Sequence, residues 1–254
     1  MSNVAALGAN YLTQVTEILQ AIQSEEAAAI SVAAVLLADQ IGEDRLIHIY
    51  GPGGHSNLAS QEVFFRAGGL MHVSAILDEG TMLANGALRS MAIERTPGYG
   101  RIVIENASLQ KGDVLILVNA YGINAALIDA ALVAHELGVT TIGISSRSHA
   151  DLTAPEHPAR HPTGANLHAL VDVHIDTKVP IGDAVVDLPG VGEKVGPVST
   201  FANAFTLNWL VQCVVAELTG RGVEPPLWRS GNAPGGDEAN SKFLASFKNR
   251  VHAL

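Results

Sequence analysis

The feature that most limits what this chain can fold into is the hexapeptide Gly51-Pro-Gly-Gly-His-Ser56, set between an apolar run at 46–50 and a helical stretch at 57–67. A strand that ends in glycines and turns straight into a helix directs backbone N–H groups and the positive helix end at one point, where an anion or polar ligand is stabilised. Without Cβ atoms the glycines also let a ligand approach the main chain. Such a turn can equally be nothing more than a tight connection, so its meaning depends on the rest of the chain.

The rest of the chain repeats the arrangement. Residues 113–118 form a near-continuous apolar run, as expected of a central parallel strand, and end in Asn119-Ala-Tyr-Gly122. A helix with Ile123, Leu127, Ala130, Ala134 and Leu137 on one face follows and stops at Gly138. The next strand, 139–144, ends in Ser145 and Ser146. Further strands are expected at 71–77 and 167–175, with a brief edge strand at 101–105. Helical spacing is present at 4–23, at 25–40 with Ser24-Glu25-Glu26 as its capped start, around 83–93, from Pro197 to Gly220, and at 240–252. Residues 150–165, 176–196 and 223–237 read as irregular.

Alternating strands and helices imply an α/β fold: a three-layer αβα sandwich around a doubly wound parallel sheet of about five strands. The whole chain, 1–254, is expected to form a single domain, with an N-terminal helical hairpin at 1–40, a sheet core at 41–196 and C-terminal helices at 197–254. Ligands of such folds sit at the carboxyl ends of the strands. The turns at Gly51, Asn119 and Ser145 all belong to that edge.

Composition narrows the partners. A net charge of −10 leaves no basic face for nucleic acid or an anionic membrane. The single cysteine, Cys213, excludes an internal disulfide and fits a reducing, cytoplasmic setting. No signal peptide is expected. The most apolar stretch, 195–216, contains Asn203, Asn208 and Gln212 and reads better as a buried helix than as a membrane span.

Three stretches carry a resemblance to a known family: Gly51-Pro-Gly-Gly-His-Ser56, Asn119-Ala-Tyr-Gly-Ile-Asn124 and Val195-Gly-Pro-Val-Ser-Thr200. Together they resemble the sugar isomerase (SIS) domain, and in particular stand-alone bacterial SIS proteins sharing Glu62-x-Phe64-x-Arg66-Ala-Gly-Gly69, the stretch 183–200 and Val223-Glu-Pro-Pro226. The resemblance implies an isomerase of the aldose–ketose type that acts on a sugar or sugar phosphate, needs no cofactor and no metal, and forms a homodimer or homotetramer. Other SIS proteins only bind phosphosugars, or act as lyases or etherases, and both remain open.

It also implies a set of site residues. Gly53, Gly54, His55, Ser56, Asn119, Tyr121, Gly122, Asn124, Ser145, Ser146, Ser199 and Thr200 would contact the ligand. Glu62 takes the place of a helix glutamate that is the base in phosphoheptose isomerases, although its spacing equally makes it a partner of Arg66. Glu193 and Lys194 precede the last motif where the isomerase domain of glucosamine-6-phosphate synthase has a catalytic glutamate; in direct register Lys194 takes that place. One departure stands out. Where SIS proteins carry serine and serine or threonine in the second loop, this chain has Asn119 and Tyr121, so a phosphate would shift towards 53–56 or the ligand would carry none. The histidines at 149, 157, 161 and 168 crowd in sequence, but Pro158 and Pro162 break any regular helix there.

Overall fold

The computed structural model describes residues 4–254. Helices α1 (Val4–Glu25) and α2 (Ala27–Gly42) meet at an elbow of 68°. The side chain of Ser24 does not cap α2 as expected; its hydroxyl returns to Ala21 O. Glu25 and Glu26 instead hold Lys178 Nζ at 3.0 and 2.7 Å, together with Asp176 at 3.1 Å, which ties the elbow to the far edge of the sheet.

Strands β1 (Ile47–Tyr50), β2 (Val73–Ile76), β3 (Val114–Val118), β4 (Thr140–Ser145) and β5 (Val173–Asp176) form one parallel sheet in the order β2-β1-β3-β4-β5. Its two faces split the apolar residues by the alternation of each strand. Ile47, Ile49, Val114, Ile116, Val118, Ile142, Ile144 and Ile175 face α2, α3 (Gly54–Val63) and α8 (Ser199–Gly220). Tyr50, Leu115 and Leu117 face α5 (Tyr99–Asn106) and α6 (Ala125–Leu137). The expected three-layer sandwich is therefore the one observed. Among the described residues α8, and the bent α1–α2 pair if taken as one span, are long and apolar enough to cross a membrane; α8 buries Leu207, Leu210, Val214 and Leu218 against the sheet.

Several elements differ from the sequence expectation. Residues 101–105 are helical, not an edge strand. Arg101 reaches Glu105 one turn on and Glu136 of α6 at 2.7 Å, and Gly100 lets α5 lie against the α6 backbone. The tertiary contact overrides a locally strand-like Ile-Val-Ile. The stretch read as irregular at 176–196 contains the antiparallel pair β6 (Ala184–Val186) and β7 (Val195–Pro197), so Pro197 ends a strand and α8 opens two residues later at Ser199. Residues 167–169 form a 3₁₀ turn before β5 begins. The helix expected at 83–93 is split at Gly86 (φ 110°) into a 3₁₀ turn, Leu83–Asn85, and α4 (Ala87–Glu94). After α7 (Arg147–Leu152) and α8, the final helix α9 (Gly236–Phe247) starts earlier than its apolar spacing suggested.

Candidate functional site

The chain leaves β1 towards β2 on one side, while β3, β4 and β5 run away on the other. The crevice between the carboxyl ends of β1 and β3 is thus the point where strand order reverses, and such points hold ligands in open α/β sheets. Its walls are the loop entering α3 and the loop after β3. Close packing forces glycine at Gly51, where a Cβ would lie 2.3 Å from Ser56 O. Gly53 has φ 93° and is pressed by the Glu94 carboxylate, whose oxygens would be 2.6 and 2.7 Å from a Cβ.

Asn119 joins the two walls. Its amide Nδ2 donates to Ser56 Oγ at 3.2 Å, to Pro52 O at 3.3 Å and to Glu94 Oε1 at 3.4 Å. Its Oδ1 accepts from the backbone N–H groups of Tyr121 and Gly122, both at 3.0 Å. The side chain is buried, so a missing partner on either end would leave a desolvated polar group.

Glu94 is the residue that sequence reasoning missed. It is the last residue of α4, and its helix is fixed by a shared acceptor: Thr81 O takes hydrogen bonds from Ser90 of α4 at 2.7 Å and from Asn57 of α3 at 3.1 Å. Asn57 also donates to Gly53 O. Burial raises the Glu94 carboxyl to about 7, against the opposing pull of the Asn119 hydrogen bond and of Arg95. One local signal existed: an acid in the last turn of a helix faces the negative end of the helix dipole and is disfavoured there unless something else requires it.

Tyr121 stacks on His149 with centroids 3.7 Å apart and planes 21° from parallel. Its phenol is pushed above the ordinary value by burial, then by the carboxylates of Asp183 and Glu94. Burial lowers the His149 ring. Asp183 itself receives Val198 N–H and Ser199 N–H at 2.9 and 2.7 Å and the Ser199 hydroxyl at 2.7 Å, so it caps the start of α8.

The expected site residues therefore divide. Gly53, Ser56, Asn119, Tyr121 and Gly122 converge, with Gly54 beside Leu83 at the same helix start. Ser145 lies against Gly122, but its hydroxyl shares a 3.0 Å hydrogen bond with His174, whose imidazole burial lowers to about 4. The Ser146 hydroxyl is spent on Val179 O at 2.6 Å and on the start of α7. Asn124 begins α6 with its Oδ1 buried and unpartnered among the described residues. His55 and Thr200 are exposed.

The three residues given catalytic roles lie elsewhere. Glu62 pairs with Arg66 at 3.4 Å and accepts from Asn208 of α8 at 3.2 Å, which is the structural alternative named for it. Glu193 and Lys194 are exposed just before β7, and the lysine reaches Asp187 at 3.7 Å. Among the described residues no three His, Cys, Asp or Glu side chains gather as a metal site. His161 instead pairs with Asp129 at 3.1 Å, and His168 with Asp151 at 2.7 Å.

Comparison with known proteins agrees with this architecture. The model of the SIS domain matches residues 10–146, more than half of the chain. A UPF0309 protein of Halalkalibacterium halodurans is 34% identical over 245 residues, 96% of each chain. Phosphoheptose isomerases from Neisseria gonorrhoeae and Francisella tularensis superpose with TM-scores of 0.59 and 0.55 at 17% and 14% identity; each alignment covers 84% of this chain, and 100% and 98% of theirs. At such identities these structures establish the fold alone. With the family model and the full-length relative in agreement, the chain belongs to the SIS domain family.

Proposed function

We propose that the protein is an intramolecular sugar isomerase of the aldose–ketose type and that Glu94 is its general base. The observation that carries this reading is the Glu94 carboxyl, held at the strand-order reversal beside Gly53 and Asn119 and raised by burial to about 7. Aldose–ketose interconversion moves a proton between neighbouring carbons, and a base works best when its pKa lies near the working pH. Membership of the SIS domain family supports a sugar ligand for this crevice. Tyr121, with a hydroxyl that makes no hydrogen bond among the described residues, is placed to contact a sugar oxygen.

The test is an exchange experiment. The protein is incubated in deuterated water with a panel of aldoses, ketoses and their phosphates, and NMR follows deuterium entering the carbon next to the carbonyl. Exchange together with interconversion of one pair is the expected result. Elimination products in place of the isomer would assign a lyase that uses the same base. Binding by thermal shift, with neither exchange nor product, would assign a sugar-binding protein.

We also expect at least a homodimer. Leu12 of α1, Val32 of α2 and Phe201 of α8 are 66%, 53% and 47% exposed, a large apolar surface for these helices to leave in water. Light scattering should return at least twice the chain mass at micromolar concentration; a monomer would refute this.

A further inference from the structure

We propose that the cavity between α5 and the β1–β2 end of the sheet is a second ligand site, which takes an uncharged small molecule with an apolar body and one hydrogen-bonding edge, as a heteroaromatic ring has. The cavity holds about 860 Å³, within the range of small-molecule sites, and is lined by none of Gly53, Ser56, Glu94, Asn119 and Tyr121. It is therefore separate from the crevice described above.

The sheet explains where it lies. Helix α5 is eight residues long and rests against α6 through Gly100, so the β1–β2 end of this face borders a cavity. His48 and Ser74 are partners in the parallel register of β1 and β2, and His48 is the partner of Leu115 in β3. Their side chains thus stand next to each other on the face that also carries Tyr50 and Leu115. Leu46, Ile76, Leu77, Val103 and Ala107 supply apolar walls, and Ile102, 60% exposed, stands at the rim.

His48 and Ser74 are only 9% and 5% exposed, yet neither side chain makes a hydrogen bond among the described residues. Asp113 Oδ2 stays 3.9 Å from His48 Nε2, beyond hydrogen-bond reach. Polar groups this deep are costly without a partner. Burial lowers the His48 ring, against the pull of Asp113, so the imidazole is neutral and presents one N–H and one bare nitrogen. The Ser74 hydroxyl can donate or accept. A ring edge that carries a donor and an acceptor satisfies both.

The charged groups around the cavity are already matched. Asp113 holds Arg45 at 2.7 Å and accepts Gln110 N–H at 2.7 Å. Asp44 holds Arg250 at 3.0 Å. Asp78 accepts the Tyr99 hydroxyl and Thr81 N–H, both at 2.9 Å. A charged ligand would meet no free carboxylate or guanidinium and would have to break one of these pairs, whereas an uncharged one meets the two groups left open. Those two groups lie below the reach of a flat protein surface, which favours a small molecule over a second copy of the chain.

The experiment is calorimetry on the whole protein with five probes: indole and benzyl alcohol, which are uncharged and carry an N–H or O–H; toluene, which has no polar group; and benzoate and benzylamine, which are charged. The expected result is that indole or benzyl alcohol binds at millimolar concentration or below, and about threefold or more tightly than the other three, the scale of one hydrogen bond. Ser74→Ala should weaken that binding by about threefold. Ile102→Glu puts a charge at the rim and should weaken it by about tenfold; its position is exposed, so this variant decides by itself if Ser74→Ala does not fold. No heat with any probe overturns the proposal, as does equal binding of toluene or tighter binding of a charged probe. Unchanged affinity in Ile102→Glu would put the probe elsewhere and overturn it too. If Ile102→Glu instead lowers the mass seen by light scattering, this face is a contact between copies of the chain and the proposal fails.

Discussion

Glu94→Gln is expected to lower turnover by about 10²–10⁴-fold while sugar binding survives, the usual range for removing a general base. The wild-type rate should rise with pH through about 7, as the carboxyl of Glu94 ionises, and then level off. The variant's residual rate should lack that limb. The same substitution should stabilise the fold. With its folded pKa raised to about 7 from 4.5, Glu94 keeps a proton in the native state that the unfolded chain has already released. Its contribution is therefore fully present below about 4.5 and is lost as pH rises through about 7. Glutamine stays uncharged throughout, so above pH 7 the variant should be more stable by on the order of 1–3 kcal/mol, allowing for partial exposure. Urea titrations at pH 5 and pH 8 read this directly: the gain should appear at pH 8 and shrink at pH 5. A variant that is active, or less stable at pH 8, removes Glu94 from the role of buried base.

Gly100→Ala should cost about 3 kcal/mol or more, or prevent folding. A Cβ on Gly100 would lie 1.9 Å from Ala126 O and 2.7 Å from Ala126 C. These are backbone atoms of a helix buried against the sheet, so relief requires α5 and α6 to move apart. That movement would also strain the turn between α4 and α5, where Gly98 N–H donates to Asp129 Oδ2 at 2.6 Å, and with it the position of Glu94. Gly8→Ala in α1 is the control of opposite sign. Nothing lies within 4 Å of its Cβ, and an exposed helical glycine replaced by alanine gains about 0.5–1 kcal/mol. Denaturation midpoints that move the same way for both variants would contradict the packing described here.

The contrast between these helices shows how much was legible before the structure. The central strand 114–118 and the turn at Asn119 were plain because a fully buried parallel strand must be apolar at every position, and β3 is. The α5 segment was misread because Arg-Ile-Val-Ile-Glu resembles a strand locally, and only contact with α6 makes it helical. Glu62 could be read as a base by resemblance or as the partner of Arg66 by spacing, and neither shows which way a helix faces. Glu94 was hidden for a different reason. Its raised carboxyl comes from burial beneath segments far off in the chain, against the opposing pull of Asn119, and no short motif encodes a carboxyl whose environment is assembled from separate loops. Tyr121 was visible as a departure from the serines of related loops, but the use of Asn119 Oδ1 as the internal occupant of the neighbouring N–H groups required coordinates.

Asn119 also bears on the time course of binding. It fastens the loop after β3 to the loop entering α3, with donors and acceptors satisfied across the reversal of strand order. A mouth braced in this way does not need to assemble around its ligand. Association should therefore be a single step, without the slow, concentration-independent phase that marks an enclosing rearrangement, and with a rate constant in the ordinary range of about 10⁵–10⁷ M⁻¹s⁻¹. Selectivity then resides in how long a sugar stays rather than in how readily it enters. Stopped-flow traces that are single exponentials at every sugar concentration would agree; a saturating second phase would show that the brace opens.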